Sequence, residues 1–275
     1  MTTDRNRRSY RAGGRIAREQ MRRQAPDDEA ALRAVTGSDV VVVRGQYDRV
    51  ESVLDVLDLP HTVVGPDRVG DLRLRPHQLL VVNCPGHIGR RGVETVRRFV
   101  RAGGSLFTTD WALRHVVEPA FPGTIGHNGI HTHDDVVRIA VTDRRNPFLA
   151  GVMEEGDDPH WWLESSSYPI RVDHPSVEIL IESAELARKY GEAPVAVLFR
   201  HGEGEVFHMI SHYYLQRTEL RTSRHRAPAS MYAADRGVAD APDLDDLTVG
   251  EVEAATSSAR MVANVIADKK RRNTR

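Results

Sequence analysis

The sequence has few cysteines and aromatic residues and no long apolar run, and two of these shortages exclude a class of protein. Its 275 residues include one cysteine, Cys84, which excludes an intramolecular disulfide framework and a zinc site built from several cysteines. Aromatic residues make up 6% of the chain, and no apolar run approaches the ~18 residues of a membrane span. The N-terminal stretch is basic and lacks the apolar core of a secretory signal, so we expect a cytoplasmic protein with no membrane contact.

Positive charge is concentrated at the two ends of the chain. The formal net charge is −1, which gives the whole chain no electrostatic bias towards nucleic acid. Eight arginines nevertheless precede Gln24, and the chain closes with DKKRRNTR. These ends are interpreted either as solvated, frayed termini or as basic arms that contact phosphates, and the lack of interleaved aromatic residues favours the former. Nucleic-acid binding through the basic termini is therefore the least favoured function.

The first half of the chain alternates between apolar runs and segments with helical spacing. Continuous β-branched or apolar runs bounded by turn residues are typical of strands covered on both faces, and four such runs occur, at 39–45, 61–65, 78–86 and 105–110. Residues 46–59 and 92–104 have the apolar spacing of helices. This alternation predicts an α/β fold, flavodoxin-like, with an open, mostly parallel sheet and helices on both faces.

The second half is predicted to add extended segments, a hairpin and a closing helix. The hairpin spans 194–212 and turns at HGEG, and the helix spans 247–270. We predict the following division: a basic extension over 1–38, a single α/β domain over 39–268 with a polar insertion at about 221–246, and a basic tail over 269–275.

Several motifs in this order resemble the class I glutamine amidotransferase-like superfamily, nearest to its ThuA-like branches, which are not amidotransferases. The likeness covers residues 39–220 and rests on the stretches LLVVNCPGH, VRRFVRAGGSLFTTDWA, VRIAVTDRRNPFLAGV and PVAVLFRHGEGEVFHMISH. The resemblance implies a Pro-Gly turn with oxyanion-hole amides after the third strand, a nucleophile elbow after the fourth, and a catalytic histidine at His212.

The elbow departs from the pattern of a working glutaminase. A glutaminase carries cysteine at this sharp strand-to-helix bend, where helix amides face the oxyanion. This sequence has Asp110 there, or Thr109 if the register shifts by one residue. Neither side chain is a plausible nucleophile for glutamine hydrolysis, which argues against the usual Cys-His-Glu route.

Three residues remain candidates for chemistry, and each has a structural alternative. Cys84 is either a displaced nucleophile, with His87 or His212 as its base, or a small apolar residue at the end of a buried strand. Asp110 and His212 are either a hydrogen-bonded pair that orients a ligand or an acid–base pair. Glu219 lies too far along the chain from His212 for the usual His-x-Glu relation.

Other residues are predicted at a pocket beyond the carboxyl ends of the strands: Gln46, His87, Trp111, His115 and Glu164. No cofactor is predicted. The alternative is a divalent metal bound within GHNGIHTHDD, with His127, His131 and His133 as candidate ligands and acids nearby. Glycine-rich polar loops also collect histidines without binding a metal.

The preferred hypothesis is an amidotransferase-like domain without the elbow cysteine, acting as a non-catalytic module that binds a small-molecule ligand or a protein partner. The alternative is a hydrolase or isomerase on a small polar or sugar-like substrate, with an Asp110–His212 pair and a metal as an optional participant.

Overall fold

The structure, a computed structural model, describes residues 2–214, 217–238 and 244–273. Its strands, in chain order, are β1 (Val40–Val43), β2 (Thr62–Val64), β3 (Leu79–Val82), β4 (Ser105–Thr109), β5 (Ile125–His127), β6 (Asp135–Arg138), β7 (Ala140–Val141), β8 (His160–Leu163), β9 (Ile170–Val172), β10 (Glu178–Glu182), β11 (Pro194–His201) and β12 (Gly204–Met209). Eight of these described strands form one sheet in the order β2-β1-β3-β4-β12-β11-β10-β7. Strands β1 to β4 and β12 pair in parallel, and the other three pair antiparallel at one edge. The predicted mostly parallel α/β sheet is confirmed.

The helices surround this sheet. In chain order they are α1 (Thr2–Gln24), α2 (Pro26–Arg33), α3 (Val50–Val56), α4 (Gly89–Arg101), α5 (Glu118–Ala120), α6 (Ala184–Tyr190), α7 (Ser223–Arg226), α8 (Ala229–Asp235) and α9 (Val249–Arg272). A 3₁₀-helix spans Pro66–Asp71, and a π-helix spans Leu113–Val117. None of the described helices combines the length and the apolar content that a membrane span requires.

Helix α1 departs from the sequence-based expectation of a solvated, frayed end. It packs along α9, and Tyr10, Ala17 and Met21 on its inner face are at most 1% exposed. These positions recur at helical spacing between the arginines, so one face is apolar although the segment is basic. The helix shares its core with the domain, and the division at residue 38 stays a prediction.

The predicted insertion contains two short helices. Both α7 and α8 contact α9, and Tyr232 of α8 is 4% exposed. Residues 239–243 of the insertion lie outside the described residues. The described part is therefore folded against the closing helix, where the sequence predicted a long loop or a partly ordered insertion.

Candidate functional site

Asp110 occupies a sharp turn between strand β4 and the helical segment that follows. Its φ is +39°, in the left-handed region that few residues other than glycine adopt. The Asp110 amide donates to the Met209 carbonyl of β12 at 2.8 Å, which continues the strand pairing into the turn. The π-helix begins three residues later. The turn has the form of the nucleophile elbow that the resemblance implies, with an aspartate at its tip.

Both carboxylate oxygens of Asp110 are held by the loop that follows strand β8. The Ser167 hydroxyl donates to Oδ2 at 2.9 Å, and the Tyr168 amide donates to Oδ1 at 2.8 Å. The Trp111 indole holds the same loop by donating to the Ser166 carbonyl at 2.7 Å. Asp110 is 1% exposed. A carboxylate that is enclosed and accepts a hydrogen bond at each oxygen is placed to anchor the loop rather than to attack a substrate.

His212 lies just beyond strand β12, between two carboxylates. Nε2 is 3.1 Å from Oδ2 of Asp110, and Nδ1 is 2.9 Å from Oε2 of Glu164, the first residue of the covering loop (residues 164–169). Neither contact has the alignment of a good hydrogen bond. Burial lowers the pKa of His212, but its contacts with Asp110, Cys84 and Glu164 outweigh burial and raise that pKa well above the ordinary value of 6.5. The two carboxylates therefore favour the protonated imidazole.

Cys84 follows strand β3 and lies beside Asp110 and His212. One potential ligand atom from each of the three residues lies within 4.8 Å of the other two. The thiol is 1% exposed, and burial raises its pKa to about 11 in spite of the nearby His212. Since the thiolate is the nucleophilic form, the thiol is unreactive at neutral pH. The sulfur lies beside an imidazole but is enclosed, which gives the displaced-nucleophile hypothesis no support.

Of the predicted pocket residues, Glu164 contacts His212 and Trp111 follows Asp110 in the chain, and the binding role of all five stays a prediction. They are Gln46 and His87, which are exposed, and Trp111, His115 and Glu164, which are half-buried. The Nε2 atoms of His87 and His115 lie 3.2 Å apart. The Trp111 ring stacks on Tyr168 and meets the edge of the exposed Tyr47 ring. Trp111, the residue after Asp110, and Tyr168, whose amide donates to Asp110, thus stack on each other beside the buried centre.

The predicted histidine cluster does not gather metal ligands. His127 Nε2 lies 2.9 Å from the Ile130 carbonyl oxygen, and the His127 ring packs on Tyr168 with centroids 4.3 Å apart. Within the described ranges, His127, His131 and His133 do not bring three ligand atoms within 4.8 Å of one another. The metal site predicted there has no support from the geometry and stays a prediction.

Two other groups of three metal-ligand side chains do converge in the described part of the chain. One is Cys84, Asp110 and His212, at the candidate site, and the other is Asp158, His160 and His225. Each group offers the nitrogen, oxygen or sulfur atoms that divalent transition metals bind.

A cleft of about 440 Å³ lies next to the covering loop. Its lining includes His127, whose ring contacts Tyr168 of the covering loop, but does not include Asp110, Cys84 or His212. Charged side chains of both signs line it: Arg114, Glu118, Arg171 and Asp173. Arg171 binds Asp173 through two hydrogen bonds of 2.6 and 2.9 Å. The cleft is therefore polar and carries both charges.

Sequence reasoning missed the contacts of the covering loop. It placed Glu164 near the pocket but did not identify it as the partner of His212, and it did not single out Ser167 or Tyr168. The rejected candidate, Glu219, forms ion pairs with Arg217 and Arg221 instead. The signal was the ESSSY segment after the paired tryptophans, because a polar run there must cover a strand end.

No protein-family model and no curated protein matches the chain. Similar solved structures include a putative ThuA-like protein from Bacteroides uniformis, at 9% identity and a TM-score of 0.45 over 65% of this chain and 84% of that one. A cytoplasmic protein from Salmonella typhimurium is similar at 11% identity and a TM-score of 0.45, over 63% and 87% of the two chains.

A third similar structure is an exo-β-1,4-mannosidase from Opitutaceae bacterium strain TAV5. The identity is 10% and the TM-score 0.44, over 62% of this chain. The match covers 31% of the mannosidase, so this chain corresponds to a minor part of that enzyme. These likenesses concern the path of the chain, and they transfer no activity to it.

Proposed function

We propose that this chain is a cytoplasmic, non-catalytic ligand-binding module with an amidotransferase-like α/β fold. The observation that carries the proposal is the state of Asp110. It stands at the elbow, where an amidotransferase has its nucleophile, yet it is 1% exposed and both of its oxygens accept hydrogen bonds from the covering loop. Attack on a substrate requires an accessible group, so this centre supports structure rather than turnover.

The ligand site in this proposal is the cleft beside the covering loop. Its volume of about 440 Å³ falls within the range of small-molecule sites. Since Arg114 and Glu118 both line it, the fitting ligand is small and carries groups of both charges or many hydroxyls. Among the described residues, the exposed large apolar side chains are Tyr47, Val63, Ile130 and Met231, which favours a small ligand over a protein partner.

The absence of amidotransferase chemistry is tested with glutamine. We expect the purified chain to release no ammonia from glutamine above the buffer rate, and the Cys84→Ser variant to behave identically. Ammonia release that is lost in Cys84→Ser would overturn the proposal.

Binding at the cleft is tested by calorimetry with a panel of amino acids and sugar acids. We expect at least one compound to bind and the Arg114→Ala variant to weaken its affinity at least tenfold, because a charge-assisted contact is lost. Arg90→Ala, which removes an exposed arginine outside the cleft lining, is the matched control and should leave the affinity unchanged. If no compound binds, or if both variants behave alike, the cleft is not the ligand site.

A hydrolase or isomerase acting on a small polar or sugar-like substrate is the second candidate. It is favoured by the arrangement of Asp110, His212 and Glu164, which places an imidazole between two carboxylates in the manner of a catalytic triad. The covering loop must open for a substrate to reach Asp110. Turnover that disappears in both Asp110→Asn and His212→Gln but persists in Cys84→Ser would establish this candidate instead.

A further inference from the structure

We propose that Cys84, Asp110 and His212 form a binding site for a divalent transition metal, with zinc as the preferred ion. They follow β3, β4 and β12, three neighbours in the sheet. Their ligand atoms lie within 4.8 Å of one another, and the His212–Asp110 distance is 3.1 Å. Ligands bound tetrahedrally at about 2.0–2.3 Å from zinc lie roughly 3.3–3.8 Å apart. Small side-chain shifts therefore bring all three onto one ion.

The surroundings of His212 match those of a metal-bound histidine. Such histidines bind the metal through one nitrogen and donate the N–H of the other to a carboxylate or carbonyl. His212 has Glu164 2.9 Å from Nδ1, which leaves Nε2 to face the proposed ligands. The imidazole is 1% exposed, and neither nitrogen makes a well-aligned hydrogen bond to a described residue. A buried polar ring without an aligned partner is unusual, and a metal gives Nε2 its partner.

Ligand type and charge also suit a divalent ion. One sulfur, one nitrogen and one oxygen ligand form a set that zinc accepts. Binding of the ion displaces two protons to solvent, one from the Cys84 thiol and one from Nε2 of His212. The resulting Cys84 thiolate and the Asp110 carboxylate supply two negative charges, which neutralise the ion in an enclosed site. Asp110 keeps its orientation because the Ser167 hydroxyl and the Tyr168 amide hold its oxygens.

The second convergent group, Asp158, His160 and His225, fits a metal less well. The Arg221 amide donates to Nδ1 of His225 at 3.3 Å, so the Nε2 of His225 carries the proton and faces Asp158. Ligation through Nε2 would move that proton to Nδ1, where it would face the N–H of Arg221 and break that hydrogen bond. Nδ1 of His160 is buried without a described partner, so it lacks the acceptor that a ligating histidine uses.

The test is a cobalt titration of the full chain after chelator treatment. We expect one equivalent of Co²⁺ to bind, with visible bands of a low-symmetry site and a near-ultraviolet thiolate-to-cobalt band, and Zn²⁺ to displace it. Cys84→Ser should abolish the thiolate band. Glu164→Gln, which replaces the carboxylate acceptor at Nδ1 by a neutral amide, should weaken affinity by about 10–100-fold.

His160→Gln is the matched control, because it disables the other ligand group and should leave the cobalt spectrum unchanged. Circular dichroism checks the fold of each variant, and Glu164→Gln carries the test if Cys84→Ser does not fold. The inference is overturned if less than stoichiometric metal binds, if no thiolate band forms, or if His160→Gln alone abolishes binding. It does not depend on the ligand-binding proposal, since metal content and ligand affinity for the cleft are measured separately.

Discussion

At the scale of single residues, the structure assigns Asp110 a stabilising role that mutation can measure. Asp110→Asn keeps the shape and tolerates the positive φ, but it removes the negative charge beside the His212 cation. Removing one partner of a buried ion pair leaves the other charge uncompensated, at a cost of about 3 kcal/mol. We expect a loss of this size in the free energy of unfolding, measured by urea denaturation of metal-free protein.

Asp58 provides the matched control for this substitution. It also has a positive φ, +52°, but it is exposed to solvent. Asp58→Asn therefore makes the same chemical change in a similar backbone conformation, and we expect an effect within about 0.5 kcal/mol. Equal effects of the two substitutions would show that the Asp110 charge does not stabilise the fold.

At the scale of an element, the buried face of strand β12 predicts acid sensitivity. Burial lowers the pKa of His208 to about 3, although its Nδ1 lies 2.8 Å from the Thr108 hydroxyl oxygen. The unfolded chain binds this proton at an ordinary pKa near 6.5, so stability falls as pH drops from 6.5 towards 3. Between pH 7 and pH 5 the loss from His208 is about 2 kcal/mol.

Urea denaturation at pH 7 and pH 5 measures this contribution. We expect His208→Gln to lose about 2 kcal/mol less than the wild-type chain on acidification, because glutamine does not titrate. His174→Gln, which changes an exposed histidine, should follow the wild-type profile. Parallel profiles for His208→Gln and the wild-type chain would contradict the prediction.

The same strand shows what a sequence can predict. The apolar run and the HGEG turn predicted the β11–β12 hairpin, and the turn between His201 and Gly204 lies where it was expected. Local pattern sufficed because the two strands are adjacent in the chain. The partner of His212 could not be predicted in this way. Glu164 comes from a separate loop 48 residues earlier. The ESSSY segment marks that loop as polar, but which residue the loop contacts depends on tertiary packing.

At the scale of the whole molecule, the N-terminal and C-terminal helices are joined by close backbone packing. Nucleic-acid binding through the basic N-terminus cannot be tested by deleting residues 1–24, because the deletion would uncover buried faces of α9. Substituting exposed arginines such as Arg11 leaves that packing intact. The helical spacing of the apolar residues of α1 was present in the sequence, but the arginines between them led to the prediction of a solvated end.

Gly13 of α1 lies close to the backbone of α9, and its substitution tests whether the terminal helix belongs to the cooperative fold. A Cβ at Gly13 would lie 2.7 Å from the Thr256 backbone nitrogen and 2.9 Å from the Ala255 carbonyl carbon, so the helices must separate. In a helix, alanine is more favourable than glycine by about 1 kcal/mol. A frayed or isolated helix would therefore gain helical stability from Gly13→Ala. Overpacking of a close interface instead costs about 1–3 kcal/mol.

We therefore expect Gly13→Ala to lower the free energy of unfolding, measured by urea denaturation with a single transition. Gly37→Ala is the matched control, because its added Cβ meets no atom closer than 4.0 Å, and it should be neutral or slightly stabilising. If Gly13→Ala is as stable as the wild-type chain or more stable, α1 does not pack on α9 in solution. A loss confined to Gly13→Ala means that the basic N-terminal helix folds and unfolds together with the sheet that carries the candidate site.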